Sequence, residues 1–242
     1  MHIMFVCTGN ICRSPMGELL LSRYLDGTTV QVSSAGTRGL PRCQMDPSSA
    51  RLMTSVNIEP SGFRSRRLTR SMAESADLIL CFEKEQRKDI VALAPGAVRY
   101  TFLLNDFANM CQYCAQNGMV SGLTIQERLA SVIKVSSMIR PMLPTPKDID
   151  DPHGKSFDKF RIAANQTNNA LRTMLKSMKK HYSVGIAPVR SQIWFTPSIP
   201  NVRISSGSGA ALRISIPLLA SGFPYTVLYS GKYILNQRLI LF

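Results

Sequence analysis

Short apolar runs alternate with amphipathic stretches along the first three quarters of the chain. Apolar runs of strand length occupy residues 2–7, 30–34, 76–82 and 98–104, and we interpret them as buried strands. Helical patterns lie between and after them. Because strands that alternate with helices favour a parallel sheet, the pattern predicts an α/β fold with about four strands and helices on both faces.

Several helices are predicted by their start signals. Asp46-Pro47 combines an N-cap aspartate with a proline at the first helical position, and a further helix covers residues 83–94. Residues 124–127 form a capping box that opens a helix running to about Pro141. The last clear helix is predicted over roughly residues 156–181, where apolar side chains recur every three or four positions.

The loop after the first strand carries the candidate chemistry. Cys7 is followed by five residues, then Arg13 and Ser14, between a strand and a helix. A tight loop that feeds a helix N-terminus directs backbone N–H groups at one anion. Arg13 adds a planar fork suited to a phosphate dianion, and these positive surroundings favour a Cys7 thiolate at neutral pH. The sequence therefore predicts a phosphate-binding loop with a nucleophilic cysteine.

Neighbouring residues fit the same loop. Gly9 and Asn10 are residue types that tolerate the left-handed conformation of a tight curl. Ser14 is expected to cap the following helix and to donate its proton to the Cys7 thiolate, and Pro15 to take the first helical position. A cysteine in isolation would more often be a small buried hydrophobic residue. Cys7 is instead accompanied by the arginine, the serine and the other loop residues of a phosphate-binding pattern.

The segment from Val6 to Met16 resembles the signature of the low-molecular-weight protein tyrosine phosphatases. Residues 34–37, 66–69 and 76–80 also match family segments, and the likeness extends to about residue 182. The resemblance implies a metal-independent hydrolase that forms a cysteinyl-phosphate intermediate and needs no cofactor. It further implies that the substrate phosphate is bound by the loop residues Thr8, Gly9, Asn10, Ile11, Cys12, Arg13 and Ser14.

The family's general acid is an aspartate that directly precedes a proline late in the chain. Asp151, before Pro152, matches this position, although two adjacent aspartates before a proline are also common in surface turns. By this resemblance Asp151 protonates the leaving oxygen and then activates water. His153 stands where the family has an aromatic residue against the substrate ring, and Phe63 where some members have histidine.

Ile11 bears on the substrate. Related arginine phosphatases carry threonine at this loop position, whereas tyrosine phosphatases carry a bulky aliphatic residue, so Ile11 favours phosphotyrosine. A protein arginine phosphatase of the same fold remains an alternative. An arsenate reductase would use Cys81 and a second relay cysteine, which residues 83–88 lack. A non-catalytic phosphate-binding module would be expected to lose Cys7, Arg13 or Asp151.

The other cysteines suggest no metal site. The resemblance implies that Cys12 can trap an oxidised Cys7 as a disulfide, while simple loop packing is an equal alternative. Cys111 and Cys114 are interpreted as two cysteines on a helix within an insertion at about residues 105–122. A zinc site would need two more ligands, and none is evident nearby in the sequence.

The net charge of +14 over 242 residues indicates anionic partners, which we interpret as phosphotyrosine-containing proteins rather than nucleic acid. A basic rim could be formed by Arg38, Arg42, Arg64, Arg66, Arg67 and Arg70. The start of the chain has no signal-peptide pattern and no apolar run has transmembrane length. With six cysteines in no secreted framework, we expect a cytoplasmic protein without an integral membrane segment, as a monomer or weak dimer.

The end of the chain differs in composition. All 15 acidic residues lie at or before Asp158, and the stretch 183–242 is rich in Ser, Pro and Gly, with a linker-like segment at 207–209. It also has apolar runs at 214–219 and 233–242. We therefore predict a phosphatase domain at residues 1–182 and a poorly ordered C-terminal extension at 183–242. A membrane-surface or partner-binding segment is the alternative for the extension.

Overall fold

Four short apolar segments pair as a parallel sheet in the computed structural model, which describes residues 1–179 and the backbone at 204–205 and 213–214. The sheet order is β2-β1-β3-β4, with the strands β1 His2–Cys7, β2 Gln31–Gly36, β3 Leu78–Cys81 and β4 Thr101–Leu103. All three pairings are parallel, which confirms the predicted fold class. The fourth strand is shorter than predicted because Pro95–Arg99 forms a 3₁₀ helix.

Seven α-helices are present in residues 1–179: α1 Arg13–Tyr24, α2 Pro47–Ser55, α3 Arg70–Glu74, α4 Lys84–Leu93, α5 Leu104–Gln116, α6 Ile125–Ile139 and α7 Phe157–Ser177. The predicted start signals are confirmed. The Asp46 side chain accepts a hydrogen bond from the Ser48 amide at 2.9 Å, and Thr124 forms a reciprocal capping box with Glu127. Helix α7 ends at Ser177, four residues before the predicted end at His181, which itself lies outside the described residues.

The two faces of the sheet are covered by different helices. On one face, Met4 and Val6 of β1 pack with Ala73 of α3 and Ile90 of α4 in one buried cluster. On the other face α1 lies so close that a Cβ on Gly17 would come within 2.6 Å of the Phe5 ring. Helix α7 packs against α1 and α5. Because burial of each large apolar side chain contributes about 1.5–3 kcal/mol, β1 is held firmly from both sides.

The carboxyl ends of the strands meet at one edge of the sheet. The last residue of β1, Cys7, is in register with the last residue of β2, Gly36. The chain then leaves β1 through a loop that turns directly into α1. The catalytic candidate is therefore the last residue of a central, fully anchored strand.

The chain divides into two compact units, Met1–Ser183 and Val184–Phe242. In the second unit the structure describes only β5 Ile204–Ser205 and β6 Arg213–Ile214, which pair antiparallel. The predicted linker at 207–209 and the apolar run at 233–242 lie outside the described residues, as does the run at 214–219 except for Ile214. Within the described part of the chain, no helix combines the length and apolarity that a membrane span requires.

Candidate active site

The loop between β1 and α1 turns its carbonyl groups outward. The carbonyl oxygens of Cys7, Thr8 and Ile11 each accept a hydrogen bond of 2.9 Å, from the amides of Thr37, Arg38 and Asp46 respectively. The amides of Gly9, Ile11 and Cys12 donate to no other described residue. A set of unpaired N–H groups beside a helix N-terminus is an anion-binding arrangement, as the sequence predicted.

Asn10 fixes the curl of this loop. It is fully buried with φ 55°, and its side-chain amide donates to Ser14 Oγ at 2.9 Å and Ser34 Oγ at 2.8 Å. Its Oδ1 accepts from the Arg66 amide at 2.7 Å. Of the two residue types that tolerate the left-handed conformation, Gly9 and Asn10, it is Asn10 that adopts it. The Asn10 side chain therefore supports the loop from behind.

The Cys7 sulfur is held by two groups of its own loop. Ser14 Oγ lies 3.0 Å from Cys7 Sγ, and the Asn10 amide donates to the same sulfur at 3.3 Å. The predicted cap at Ser14 is wrong, because α1 begins at Arg13 and the Ser14 hydroxyl faces Cys7 and Asn10 instead. Pro15 is consequently the third helical residue, still within the first turn, where no helical N–H bond is lost.

The Arg13 side chain is only 1% exposed and is held by three groups. Its Nη1 donates to the Ile149 carbonyl at 2.8 Å and pairs with Glu83 Oε2 at 2.9 Å, and its Nη2 lies 3.0 Å from Asp151 Oδ2. Arg13 Nε is buried and has no hydrogen-bond partner among the described residues. A rigid guanidinium with an unused donor is suited to bind one more oxygen atom, such as that of a phosphoryl group.

Asp151 and His153 lie at the mouth of the site. The Asp151 side chain is 42% exposed, and its Oδ1 accepts a hydrogen bond from the His153 amide at 3.2 Å. His153 is exposed, with Nδ1 3.7 Å from Asp46 Oδ2 and 4.0 Å from Cys12 Sγ. The predicted acid is thus next to Arg13 and accessible to water.

A cleft of about 520 Å³ opens over the loop. Eight of the ten predicted site residues line it, namely Cys7, Thr8, Gly9, Ile11, Cys12, Arg13, Asp151 and His153, whereas Asn10 and Ser14 lie behind the loop. Ile11, Leu40, Met45 and Pro47 form an apolar wall. Of the six arginines proposed for a basic rim, Arg38 is the one that lines this cleft.

Three supporting residues were not predicted from the sequence. Glu83, the N-cap residue of α4, forms the ion pair with Arg13, and Gln86 Nε2 donates to Thr8 Oγ1 at 3.2 Å. At Gly36 a Cβ would lie 2.6 Å from the Thr8 carbonyl oxygen, so only glycine fits there without displacing the loop. The Glu83–Gln86 spacing is that of a capping box, but nothing local indicates that Glu83 reaches Arg13.

Cys12, which lines the cleft, and Cys81 in β3 are both buried thiols. Burial, with smaller contributions from Asp46, Cys7 and Asp151, raises the pKa of the Cys12 thiol well above its ordinary value. Cys81 is fully buried in β3, donates to the Phe102 carbonyl at 3.4 Å, and has its pKa raised to about 12, chiefly by burial. This burial and the raised thiol pKa argue against a role for Cys81 as an arsenate-reductase relay.

Cys111 and Cys114 both lie on α5 and are buried, as predicted for two cysteines on a helix. Burial raises the pKa of both thiols, and at Cys111 the neighbouring Cys114 adds to the effect. Neither belongs to a cluster of metal-ligating side chains within the described residues. Their surroundings are those of structural, protonated thiols.

Comparison with known proteins identifies relatives of both the sequence and the fold. The chain is 41% identical over 105 residues to the low molecular weight protein-tyrosine-phosphatase Etp of Escherichia coli K12, covering 43% of this chain and 70% of Etp. It is 30% identical over 183 residues to the protein-arginine-phosphatase of Bacillus subtilis strain 168, covering 74% of this chain and 98% of that protein.

Solved structures give the same result. A YwlE mutant from Bacillus subtilis superposes with a TM-score of 0.55 at 26% identity, covering 74% of this chain and 99% of YwlE. The tyrosine phosphatase Wzb from Escherichia coli K30, in complex with sulphate, superposes with a TM-score of 0.54 at 25% identity, covering 74% of this chain and 98% of Wzb.

A family model for low molecular weight phosphotyrosine protein phosphatases matches residues 2–118. On these sequence relatives, the chain belongs to the low molecular weight phosphotyrosine protein phosphatase family.

Proposed function

We propose that this phosphatase hydrolyses phosphotyrosine in protein substrates through a cysteinyl-phosphate intermediate, without a metal ion. One observation carries the proposal: the Cys7 sulfur lies in a loop whose amides at Gly9, Ile11 and Cys12 have no partner within the described part of the chain, beside an immobilised Arg13. Such a site binds a phosphoryl group and places a nucleophile beneath the phosphorus.

In the first step the Cys7 thiolate attacks phosphorus, the S–P bond forms, and the P–O ester bond breaks. Asp151 donates its proton to the departing phenolic oxygen. The loop amides and Arg13 bind the equatorial phosphoryl oxygens, where negative charge is concentrated. Ser14 Oγ, 3.0 Å from the sulfur, is placed to donate a hydrogen bond to the thiolate.

In the second step water attacks phosphorus while Asp151 removes its proton. The S–P bond then breaks and returns the electron pair to the Cys7 sulfur, so thiolate and acid are regenerated and inorganic phosphate leaves. A solved structure of a YwlE arginine phosphatase supports this role for the loop nucleophile. In that cysteine-to-serine mutant the active-site serine is phosphorylated.

The walls of the cleft support an aromatic substrate. Ile11 and Leu40 offer apolar contact to a phenyl ring, and His153 adds a flat imidazole at the mouth. Arginine phosphatase activity is the second candidate, because the Bacillus subtilis protein-arginine-phosphatase resembles this chain over 98% of its own length. An exposed Arg38 at the rim favours acidic residues around the phosphorylated side chain.

We also propose that residues 1–182 form the catalytic domain, acting in the cytoplasm as a monomer or weak dimer. Every residue of the cleft, and the whole of the family match, lies within this range. The six cysteines of the chain form no secreted disulfide pattern, which supports a reducing compartment.

The decisive test measures phosphate release from phosphotyrosine and phosphoarginine peptides in EDTA. We expect the full chain to hydrolyse phosphotyrosine, Cys7→Ser to be inactive, and Cys43→Ser, a second thiol of the same cleft, to stay active. Hydrolysis of phosphoarginine alone would support the cysteinyl-phosphate mechanism but reject phosphotyrosine as the substrate. Activity that persists in Cys7→Ser would reject the mechanism.

The Ile11→Thr variant tests whether Ile11 determines the choice of substrate. If Ile11 provides the wall for the phenyl ring, this variant should lose kcat/KM for phosphotyrosine by about 10-fold or more, in line with the loss of a few apolar contacts. Its activity toward phosphoarginine should be equal or greater. An unchanged ratio between the two substrates would show that Ile11 does not set specificity.

A further inference from the structure

Three metal-ligating side chains converge at the mouth of the cleft. One ligand atom from each of Cys12, Asp46 and His153 lies within 4.8 Å of the other two. The residues come from three separate segments: the phosphate-binding loop, the start of α2 and the Asp-Pro segment. The fold alone brings them together, which is why no spacing in the sequence reveals them.

The separations suit a tetrahedral zinc ion. With Zn–S near 2.3 Å and Zn–N and Zn–O near 2.1 Å, tetrahedral ligands are separated by about 3.6 Å for S···N and about 3.4 Å for N···O. Cys12 Sγ lies 4.0 Å from His153 Nδ1, which lies 3.7 Å from Asp46 Oδ2. A contraction of a few tenths of an ångström brings these two pairs to tetrahedral separations, and the exposed histidine side chain that both pairs share can supply it. The Cys12 and Asp46 ligand atoms lie within 4.8 Å of each other.

Two of the three ligands are already oriented by other interactions. Asp46 Oδ1 accepts the N-cap hydrogen bond from the Ser48 amide at 2.9 Å, which leaves Oδ2 directed toward His153. Cys12 is only 3% exposed and belongs to the rigid loop. A carboxylate held by a hydrogen bond on its other oxygen is typical of a preorganised metal ligand.

We propose that Cys12, Asp46 and His153 bind Zn²⁺ at the mouth of the catalytic cleft and that bound zinc inhibits the phosphatase. The Cys12 thiol releases its proton to solvent as the Zn–S bond forms, and water takes the fourth position. The thiolate and carboxylate neutralise the ion, while three protein ligands leave it exchangeable.

Inhibition follows from the position of the site. All three ligands line the same cleft as Cys7 and Arg13, so the ion and its water occupy space that the substrate needs. Zinc also fixes His153 away from a substrate ring. This inhibitory consequence rests on the proposed function, whereas zinc binding itself does not.

The binding test uses Co²⁺ as a spectroscopic probe in the Cys7→Ser protein, which has no nucleophile to bind the metal. A cobalt–thiolate charge-transfer band should appear on titration and be displaced by Zn²⁺. It should vanish in Cys7→Ser/Cys12→Ser and persist in Cys7→Ser/Cys43→Ser, since the Cys43 thiol lies in the cleft outside the cluster. A band that survives removal of Cys12, or none in Cys7→Ser, would overturn the site.

The inhibition test compares phosphotyrosine hydrolysis with and without Zn²⁺, each variant normalised to its own activity in EDTA. Zinc should inhibit the unaltered chain reversibly, and the half-inhibitory concentration should rise at least about 10-fold in His153→Phe and Asp46→Asn. Asparagine retains the N-cap hydrogen bond of α2 but not the carboxylate ligand, so it isolates the metal contribution.

The two tests separate the possible failures. A cobalt band without zinc inhibition would keep the site and reject its inhibitory role. Equal inhibition in the unaltered chain, His153→Phe and Asp46→Asn would place zinc on Cys7 and reject the proposal. If no variant hydrolyses any phosphate ester, the proposed function fails, yet the spectroscopic result still decides the metal site.

Discussion

Asp151 Oδ2 lies 3.0 Å from Arg13 Nη2, so the candidate acid is held against the guanidinium that would bind the phosphoryl group. Because Arg13 is itself fixed by Glu83 and the Ile149 carbonyl, this contact places Asp151 over the loop before substrate arrives. Proton transfer then needs little rearrangement of the site.

Replacement of Asp151 by asparagine should remove the acid while preserving size and hydrogen-bonding capacity. We expect kcat toward phosphotyrosine peptides to fall by about 10²–10⁴-fold, the usual contribution of general acid–base catalysis. The loss should be smaller for aryl phosphates whose leaving phenoxide is already stable. Steady-state kinetics over a series of leaving groups would measure this dependence.

The neighbouring Asp150→Asn variant is the matched control, because Asp150 is exposed and does not line the cleft. It should leave kcat within about twofold of the unaltered chain, as expected of a surface substitution. Equal losses in the two variants would mean that general electrostatics, not proton donation by Asp151, explains the effect.

Glu83 should act as a positioning residue for Arg13. In Glu83→Gln the ion pair at 2.9 Å becomes a neutral contact, so the guanidinium is less restrained. We expect inorganic phosphate to bind about 10-fold more weakly, in line with the loss of a hydrogen bond between charged groups. Competitive inhibition by phosphate measures this directly.

The control for Glu83 is Glu85→Gln on the same helix. Glu85 pairs with Lys88 at the surface, where both side chains are more than 70% exposed. Its replacement should change neither the inhibition constant of phosphate nor the melting temperature. An unaltered phosphate affinity in Glu83→Gln would show that the Ile149 and Asp151 contacts suffice to hold Arg13.

Gly36→Ala should disturb the loop from outside. The added methyl group would lie 2.6 Å from the Thr8 carbonyl oxygen and 2.9 Å from the Asn10 nitrogen, both backbone atoms of the loop. We expect kcat/KM to fall at least about 10-fold, together with a loss of about 1–3 kcal/mol in the free energy of unfolding from overpacking. Kinetics and urea denaturation measure the two effects.

Gly62→Ala provides the comparison, since a methyl group there meets no atom within 4 Å. It should keep full activity and near-original stability. Should Gly36→Ala behave like Gly62→Ala, the loop is more compliant than its hydrogen bonds indicate.

Glu18 gives the chain a specific pH dependence of stability. Burial raises the pKa of this carboxyl, and the hydrogen bond from Ser34 and the charge of Arg66 oppose the rise. A raised folded-state pKa favours the protonated carboxyl. The protonated Glu18 carboxyl makes its full contribution to the free energy of unfolding below the ordinary glutamate pKa of about 4.3. This contribution is lost as the pH rises through the pKa of Glu18 in the folded state.

Relative to Glu18→Gln, the original chain should therefore lose stability with increasing pH over that window and then level off. Urea denaturation of both proteins from about pH 4 to pH 8 measures the difference in unfolding free energy. A difference that grows in favour of the original chain at higher pH would contradict the assignment and indicate a stabilising charge on Glu18.

Local sequence patterns were sufficient for the architecture and for the reacting groups. The apolar runs, the Asp46 and Thr124 caps and the cysteine loop depend on residues within one turn or one strand of each other. Asp151 was found by resemblance, since the spacing between Cys7 and an acid so distant in the chain carries no geometric information.

The errors and omissions share a physical cause. Ser14 was misassigned because the loop is shaped by Asn10, whose partners Ser34 and Arg66 are remote in sequence. Glu83 and Asp46 were overlooked as members of the site because each also serves as an ordinary helix N-cap residue. Long-range contacts of this kind become visible only when the strands assemble.

The reacting residues of the cleft are buried and its rim residues are exposed, and this difference has an evolutionary consequence. Cys7 and Arg13 are almost wholly buried and tied to the core, whereas Leu40, Arg38 and His153 are exposed on segments outside the sheet. Changes at the exposed positions can alter which phosphorylated protein is accepted at little cost to folding or to bond breaking. Such a scaffold allows lineages to exchange substrates, or acquire an inhibitory ligand, while the reaction itself is inherited unchanged.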